Sequence, residues 1–238
     1  MPAPRKFTEE RLRAAALSLV DERGLPALTM RNLAAALGTG AMTLYTYVDG
    51  REGLEALLVE AVMSEVRRVP GVPSADWRAD VRALAEAHWR AVRAHPDVIP
   101  LILTRRSLDP ATLAGGEEML GALARGGYAG RPLLVAMRAV SAFVMGFAQA
   151  ELAGPLSLAP DEQPGDVIER VRALPRERYP RLIEMAEAAR ESTAESEFHE
   201  ALAIVLDGLR PGAGGGTPGA RAAGAAGAQP AVPSSEVP

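Results

Sequence analysis

The sequence predicts an all-α protein in two parts, an N-terminal three-helix unit of helix-turn-helix anatomy and a larger C-terminal helical domain. Three observations carry this. Apolar positions recur at helix spacing along most of the 238 residues, and no convincing strand alternation interrupts them. Pro70-Gly-Val-Pro73 is the first clear break in the pattern, because proline and glycine stop a helix, and residues 154–165, rich in Pro, Gly and acid, read as a loop. From Pro211 onward the chain is almost only Gly, Ala, Pro and Ser, with too little apolar bulk to offset the entropy of ordering. The expected organisation is residues 1–68, residues 74–210 and a disordered tail over 211–238.

Each element follows from local chemistry. Thr8, followed by Glu9 and Glu10, reads as a cap with acids in the first turn, and Leu12, Ala15, Ala16, Leu19 and Val20 form the apolar face of a first helix that Gly24 closes. Thr29 caps a short second helix with Leu33 and Leu37 one turn apart. Gly38 ends it. A third helix is expected from about Ala41 to Tyr47, with Leu44 and Val48 inward, and Asp49-Gly50 breaks it. Leu54, Leu57, Leu58, Ala61, Val62 and Val66 stripe a fourth. Beyond the break, helices are expected near 76–94, 96–106, 109–126, 132–153, 164–173, 176–190 and 196–209. The stretch 132–153 is apolar on most of its circumference and reads as buried on most sides.

Composition removes several function classes. An apolar fraction of 48% excludes wholesale disorder. Without cysteine there is no disulfide framework, thiolate zinc site, iron–sulfur cluster or Cys nucleophile. His88, His95 and His199 are too scattered to read as a metal cluster, and no metal or cofactor is expected. His95-Pro96 reads as a helix terminus. The Gly-rich run 212–216 follows no strand and opens no helix, so it is not a phosphate loop. No apolar run approaches the roughly 18 residues of a membrane span, and the N-terminus has no apolar signal segment. A cytoplasmic protein without a membrane partner is expected. Net charge is −4, yet residues 1–51 carry seven basic side chains against five acidic ones. A local basic face in an acidic protein is compatible with a nucleic-acid partner.

Residues 28–51 carry the chemistry. Two short helices joined by a tight turn need a small residue where they cross, which Gly38 supplies, and apolar inner faces, which Leu33, Ala34, Leu37 and Leu44 supply. The outer face needs groups that reach phosphates and base edges. Thr43, Tyr45, Thr46 and Tyr47 bring hydroxyls and Arg51 a charge. The expected partner is a double-stranded DNA operator.

The run Leu-Thr-Met-Arg-Asn-Leu-Ala-Ala-Ala-Leu-Gly from Leu28, then Thr-Leu-Tyr-Thr-Tyr-Val from Thr43 and Arg-Glu-Gly-Leu from Arg51, resembles the DNA-binding domain of the tetracycline repressor (TetR) family. The resemblance covers about residues 8–66. A looser one spans about 78–210, through His95-Pro96-Asp97, Gly126-Gly127-Tyr128 and Glu197-Phe198…Asp207-Gly208-Leu209. It implies a C-terminal domain for ligand binding and dimerisation, no enzymatic activity, and a ligand-responsive regulator, normally a repressor. It also implies roles. Thr29 caps the second helix and sits at the DNA backbone, and Arg31 contacts base or phosphate. Ala41, Met42 and Thr43 open the recognition helix. Tyr45 and Tyr47 grip phosphates, Thr46 approaches a base, and Arg51 replaces the usual phosphate-binding Lys. Ala41 and Met42 are apolar where the tetracycline repressor has a polar residue and Pro, which implies reading of thymine methyls or groove shape. Arg5 and Lys6 fit a flexible arm.

One such module meets one half-site, so a homodimer is expected to span grooves about 34–36 Å apart. The family pairs two C-terminal helices across that dimer, here those near 132–153 and 196–209. Phe198, Leu202, Val205, Leu206 and Leu209 form the seam expected on the second. A small-molecule effector is expected in the second domain, with His88, Met119, Met137, Phe143, Phe147 and Gln149 as candidate lining. The same Met and Phe positions fit core and interface packing, and His88 fits a structural histidine. Positions that hold the drug–magnesium chelate in tetracycline repressors carry Arg67 or a neighbour, Leu84 and Ile102. The metal-binding His near 102 is absent, so a different ligand is expected. An enzyme housed in the helical domain and a DNA-independent adaptor are the competing classes. No Ser–His–Asp arrangement, metal-ligand spacing or nucleotide loop favours the enzyme.

Overall fold

A computed structural model describes residues 7–66, 74–105, 110–153 and 164–211. The expected N-terminal arm at Arg5 and Lys6, Arg67, the 70–73 break and the tail beyond Pro211 lie outside the described residues. Among the described residues the chain is helical and contains no strand.

The N-terminal part is built from α1 (Glu9–Arg23), α2 (Met30–Ala36), α3 (Ala41–Leu44) and α4 (Gly50–Glu65). Thr8 caps α1, its side-chain oxygen accepting from the Arg11 amide at 3.3 Å. Gly24 ends that helix at φ 76, in the region that favours glycine. Leu12, Val20, Leu28, Leu33, Leu44, Leu54 and Leu58 are almost wholly buried and form the core of the head. Helix α3 is shorter than expected. After Leu44 the chain tightens into a turn, with the Thr46 and Tyr47 amides bonded to the carbonyls of Thr43 and Leu44. The Thr46 hydroxyl donates to the Thr43 carbonyl at 2.7 Å, a local bond that competes with continued α-helix.

The second part comprises α5 (Trp77–Ala94), α6 (Ile99–Thr104), α7 (Pro110–Arg125), α8 (Gly130–Ala153), α9 (Pro164–Arg172), α10 (Pro180–Ala189) and α11 (Ala194–Gly208). Helix α5 is central, lying against α7, α8 and α11, while α4 of the head rests on α5, α6 and α7. Trp89 of α5 stacks on Phe198 of α11, with ring centroids 4.4 Å apart and planes 7° apart. Between α7 and α8, Gly126 gives Trp77 its place, since a Cβ there would stand 2.6 Å from the indole. Gly127 turns the chain at φ 88. Helix α10 starts at Pro180 rather than near 176, because the residue before a proline is held away from helical geometry, and Tyr179 sits at φ −130, ψ 46.

Two expectations about the C-terminal helices are corrected. Helix α8 is not buried on most sides. Ala136, Val140, Val144 and Ala148 face inward, while Leu134 (49% exposed) and Val135 (55%) face out. Apolar residues on both faces raise its mean hydropathy to 1.6, so Gly130–Glu151 is long and apolar enough to cross a membrane, contrary to the reading that no run approaches that length. Its inner stripe packs on α5, α7 and α11 as a core helix does. On α11, Phe198, Leu202 and Leu206 do not form a free seam. They are fully buried within the protomer, because α5 and α8 already occupy that face, and Ile204 (74% exposed) marks the open one.

Candidate nucleic-acid interface and effector domain

The head presents its second and third helices through local bonds that leave the outer face open. Thr29 takes an extended backbone and accepts the Asn32 amide at 3.1 Å, which sets the start of α2. Asn32 ties this cap to the preceding turn by donating to the Ala27 carbonyl at 2.8 Å. Gly38, at φ 64, makes the turn between α2 and α3. Leu33 and Leu44 then lock the two helices into the core.

That packing settles which side chains point out. Met42 is 78% exposed and Tyr45 55%. Thr29, Arg31 and Thr46 are exposed, and Ala41 and Thr43 are half-buried. The structure thus gathers Arg31, Met42, Tyr45 and Thr46 on accessible surface of the α2–α3 unit. Two of the remaining candidates stand differently. Tyr47 is half-buried, its hydroxyl accepts the Phe7 amide at 3.2 Å, and its ring meets Phe7 edge-on at 6.1 Å. It ties the segment before α1 to the end of the recognition unit. Arg51 is half exposed but held: Nε donates to Glu55 at 2.5 Å and Nη1 to the Leu28 carbonyl at 2.8 Å.

Glu55 is the residue that the sequence reading missed here. It is buried, and its second oxygen meets Arg105 at the end of α6. The Arg51 hydrogen bond, more than the burial that opposes it, holds the Glu55 carboxyl below the usual carboxylate range, with Arg105 adding to the effect. The spacing of Arg51 and Glu55 is a sequence signal for a helical pair. Nothing in the sequence points to Arg105.

In the second domain His88 lies between α5 and α7. Its Nδ1 donates to the Leu84 carbonyl at 2.7 Å. Burial pushes its pKa below the usual value, so the ring is neutral with Nε2 as an acceptor beside Gly115. Met119 is buried, and Met137, Phe143 and Phe147 are half-buried. Phe143 and Phe147 belong to the Trp89–Phe198 cluster, each 5.4 Å from Phe198. Gln149 is exposed and does not join them. Trp89 was not singled out from the sequence, although Val81, Ala85, Trp89 and Val92 share one stripe of α5. An open groove of about 410 Å³ lies between α1 and α2, and none of the candidate ligand residues lines it. Among the described residues no cluster of His, Asp and Glu is arranged to hold a metal ion.

A glycine-turned pair of short helices carried on a four-helix head, docked onto an all-helical second domain, defines the helix-turn-helix regulator class. Two family models match the chain: "Bacterial regulatory proteins, tetR family" over residues 12–58 and "Tetracyclin repressor-like, C-terminal domain" over residues 69–211. The chain belongs to the tetracycline repressor family. It is 32% identical to the HTH-type transcriptional repressor DrrR1 of Streptomyces coeruleorubidus over 146 residues, 61% of this chain and 54% of that protein. It is 28% identical to the class A tetracycline repressor of Escherichia coli over 197 residues, 82% of this chain and 87% of that one. The alignments span 54% and 61% of the length of the first two curated relatives. Among solved structures, the TetR family protein ActR of Streptomyces coelicolor in complex with actinorhodin superposes with a TM-score of 0.71 at 28% identity, covering 88% of this chain and 98% of that one.

Proposed function

We propose that the protein is a ligand-responsive transcriptional repressor that binds a palindromic operator as a homodimer and releases it when a small molecule occupies the second domain. The observation that carries this is the outward set on the helix-turn-helix unit. Arg31, Met42, Tyr45 and Thr46 are exposed while Leu33 and Leu44, on the same two helices, are fully buried. Surface exposure of a large apolar residue such as Met42 at the head of a recognition helix suits contact with thymine methyls. Thr29, Ala41, Thr43, Tyr47 and Arg51 complete the proposed DNA face, with Tyr47 and Thr29 acting mainly by placing the others.

The proposed division is a DNA-binding unit over 1–68 and an effector and dimerisation unit over 74–210, in a cytoplasmic protein. The outward faces of α8 and α11, with Leu134, Val135 and Ile204, are the proposed dimer surface. His88, Met119, Met137, Phe143 and Phe147 remain the proposed effector contacts, and Gln149, exposed and apart from them, is dropped from the set. The relative DrrR1 is a transcriptional repressor, which supports the repressor reading, and the ActR neighbour in complex with actinorhodin supports a small-molecule site in the second domain, so actinorhodin is the first probe to try.

The test is a duplex selected from a randomised pool by the full-length protein, then titrated by fluorescence anisotropy against random DNA. Specific binding with a steep salt dependence is expected. Equal affinity for the selected and random duplexes at moderate salt overturns the reading.

A further inference from the structure

We infer that Glu55 is a positioning residue for the DNA face: it sets Arg51 against Leu28, and Arg105 at the end of α6 sets Glu55. The inference rests on the repressor reading above and names a residue that reading does not use.

The geometry is a chain of three charged groups anchored at both ends. Arg51 opens α4, one turn before Glu55. Its guanidinium bonds Glu55 through Nε at 2.5 Å and the Leu28 carbonyl through Nη1 at 2.8 Å. Leu28 immediately precedes the Thr29 cap of α2, so Arg51 ties the start of α4 to the start of α2. Glu55 spends one oxygen on Arg51 and the other on Arg105. Its side chain is nearly buried, whereas that of Arg51 is 49% exposed. A buried carboxylate with two cationic partners is fixed in orientation, while a lone surface i,i+4 pair is loosely held. Arg51 therefore stands at the surface in one orientation, with the start of α2 on one side and the second domain behind it. The placement of a surface cation on the head depends on where α6 ends. Arg105 is the residue that ends α6.

Chemistry separates this from the simple electrostatic alternative. A carboxylate beside a DNA-facing arginine repels phosphates, so if Glu55 only neutralises Arg51, its removal strengthens binding. If Glu55 positions Arg51, its removal weakens binding, because a wandering guanidinium loses its directed contact.

The experiment uses the full-length protein and the selected duplex. Glu55→Gln is expected to lower affinity about tenfold and to flatten the slope of log K against log salt by about 0.9, the loss of one phosphate contact. Arg105→Gln is expected to lower affinity about two- to threefold. Neither change should add to Arg51→Ala, since all three act through one guanidinium. A second readout is independent of DNA. The Arg51 Nε–H resonance in the free protein should be shifted downfield and slow to exchange, and both Glu55→Gln and Arg105→Gln should move it. Tighter binding by Glu55→Gln, full additivity with Arg51→Ala, or an Arg51 resonance indifferent to Arg105→Gln overturns the inference while leaving the repressor reading intact. Failure of the wild-type protein to select any duplex overturns the repressor reading itself.

Discussion

Thr29 and Arg31 lie two positions apart on the same surface and do unlike things. The Thr29 oxygen satisfies the Asn32 amide at the start of α2. Thr29→Ala should therefore cost about 1 kcal/mol of stability, a fall in Tm of about 2–4 °C. Arg31 is exposed on α2. Arg31→Ala should leave Tm unchanged while weakening operator binding and reducing the salt slope by about one phosphate contact. Melting curves and anisotropy titrations on the two variants separate a residue that builds the face from one that uses it. The outward set Arg31, Met42, Tyr45 and Thr46 could be picked out from the sequence because a short helix with Leu33 or Leu44 inside has little choice about its outside. The restraint on Arg51 could not. Its Leu28 carbonyl comes from 23 residues away, and the Arg105 that orients its partner comes from another domain.

At the scale of elements, the corner before α6 joins the two halves of the molecule. His95 ends α5, is buried, and places Nδ1 3.0 Å from Asp21 of α1 and Nε2 2.9 Å from Glu65 at the end of α4. Both ring nitrogens face carboxylates, so both donate and the ring is an imidazolium. Burial works against that charge, but the bonds to Asp21 and Glu65 outweigh it and raise the pKa above its usual value near 6.5. A raised histidine pKa contributes stability that is complete below the unfolded value and is lost as pH rises through the folded one. His88, with its lowered pKa, has the opposite sign and weakens the fold as pH falls. The expected result is that the wild type loses Tm relative to His95→Gln as pH is raised from 6 toward alkaline values. Parallel curves for the two proteins would show that the corner does not titrate. The sequence reading of His95 as a plain helix terminus was correct for the backbone. It missed the latch because Asp21 and Glu65 approach only after α1 and α4 have packed. The caps at Thr8 and Thr29 were legible because a cap needs only its own next three residues. The apolar character of α8 was legible too, but which face turns inward depends on α5, α7 and α11.

At the scale of the molecule, the open faces of α8 and α11 carry the proposed assembly. A helix with apolar residues on its solvent side marks an interaction surface. Leu134→Arg combined with Ile204→Asp should convert a dimer to a monomer in analytical ultracentrifugation, keep the helical circular dichroism, and abolish tight operator binding, since one head reads only one half-site. A ligand for the second domain should raise Tm with concentration by mass action, by an amount equivalent to about 2.7 kcal/mol at one hundred times its Kd.

The stacked indole of Trp89 gives the protein a built-in optical gauge. Its ring is sealed from water, with Phe198 parallel to one face, the Arg93 guanidinium 5.0 Å from the ring centre and the indole N–H 3.3 Å from Glu151. Of the two tryptophans in the chain, this one emits from the middle of the second domain. Its colour and brightness will record, without any attached dye, whether a compound that enters there parts α5 from α11 or leaves them closed.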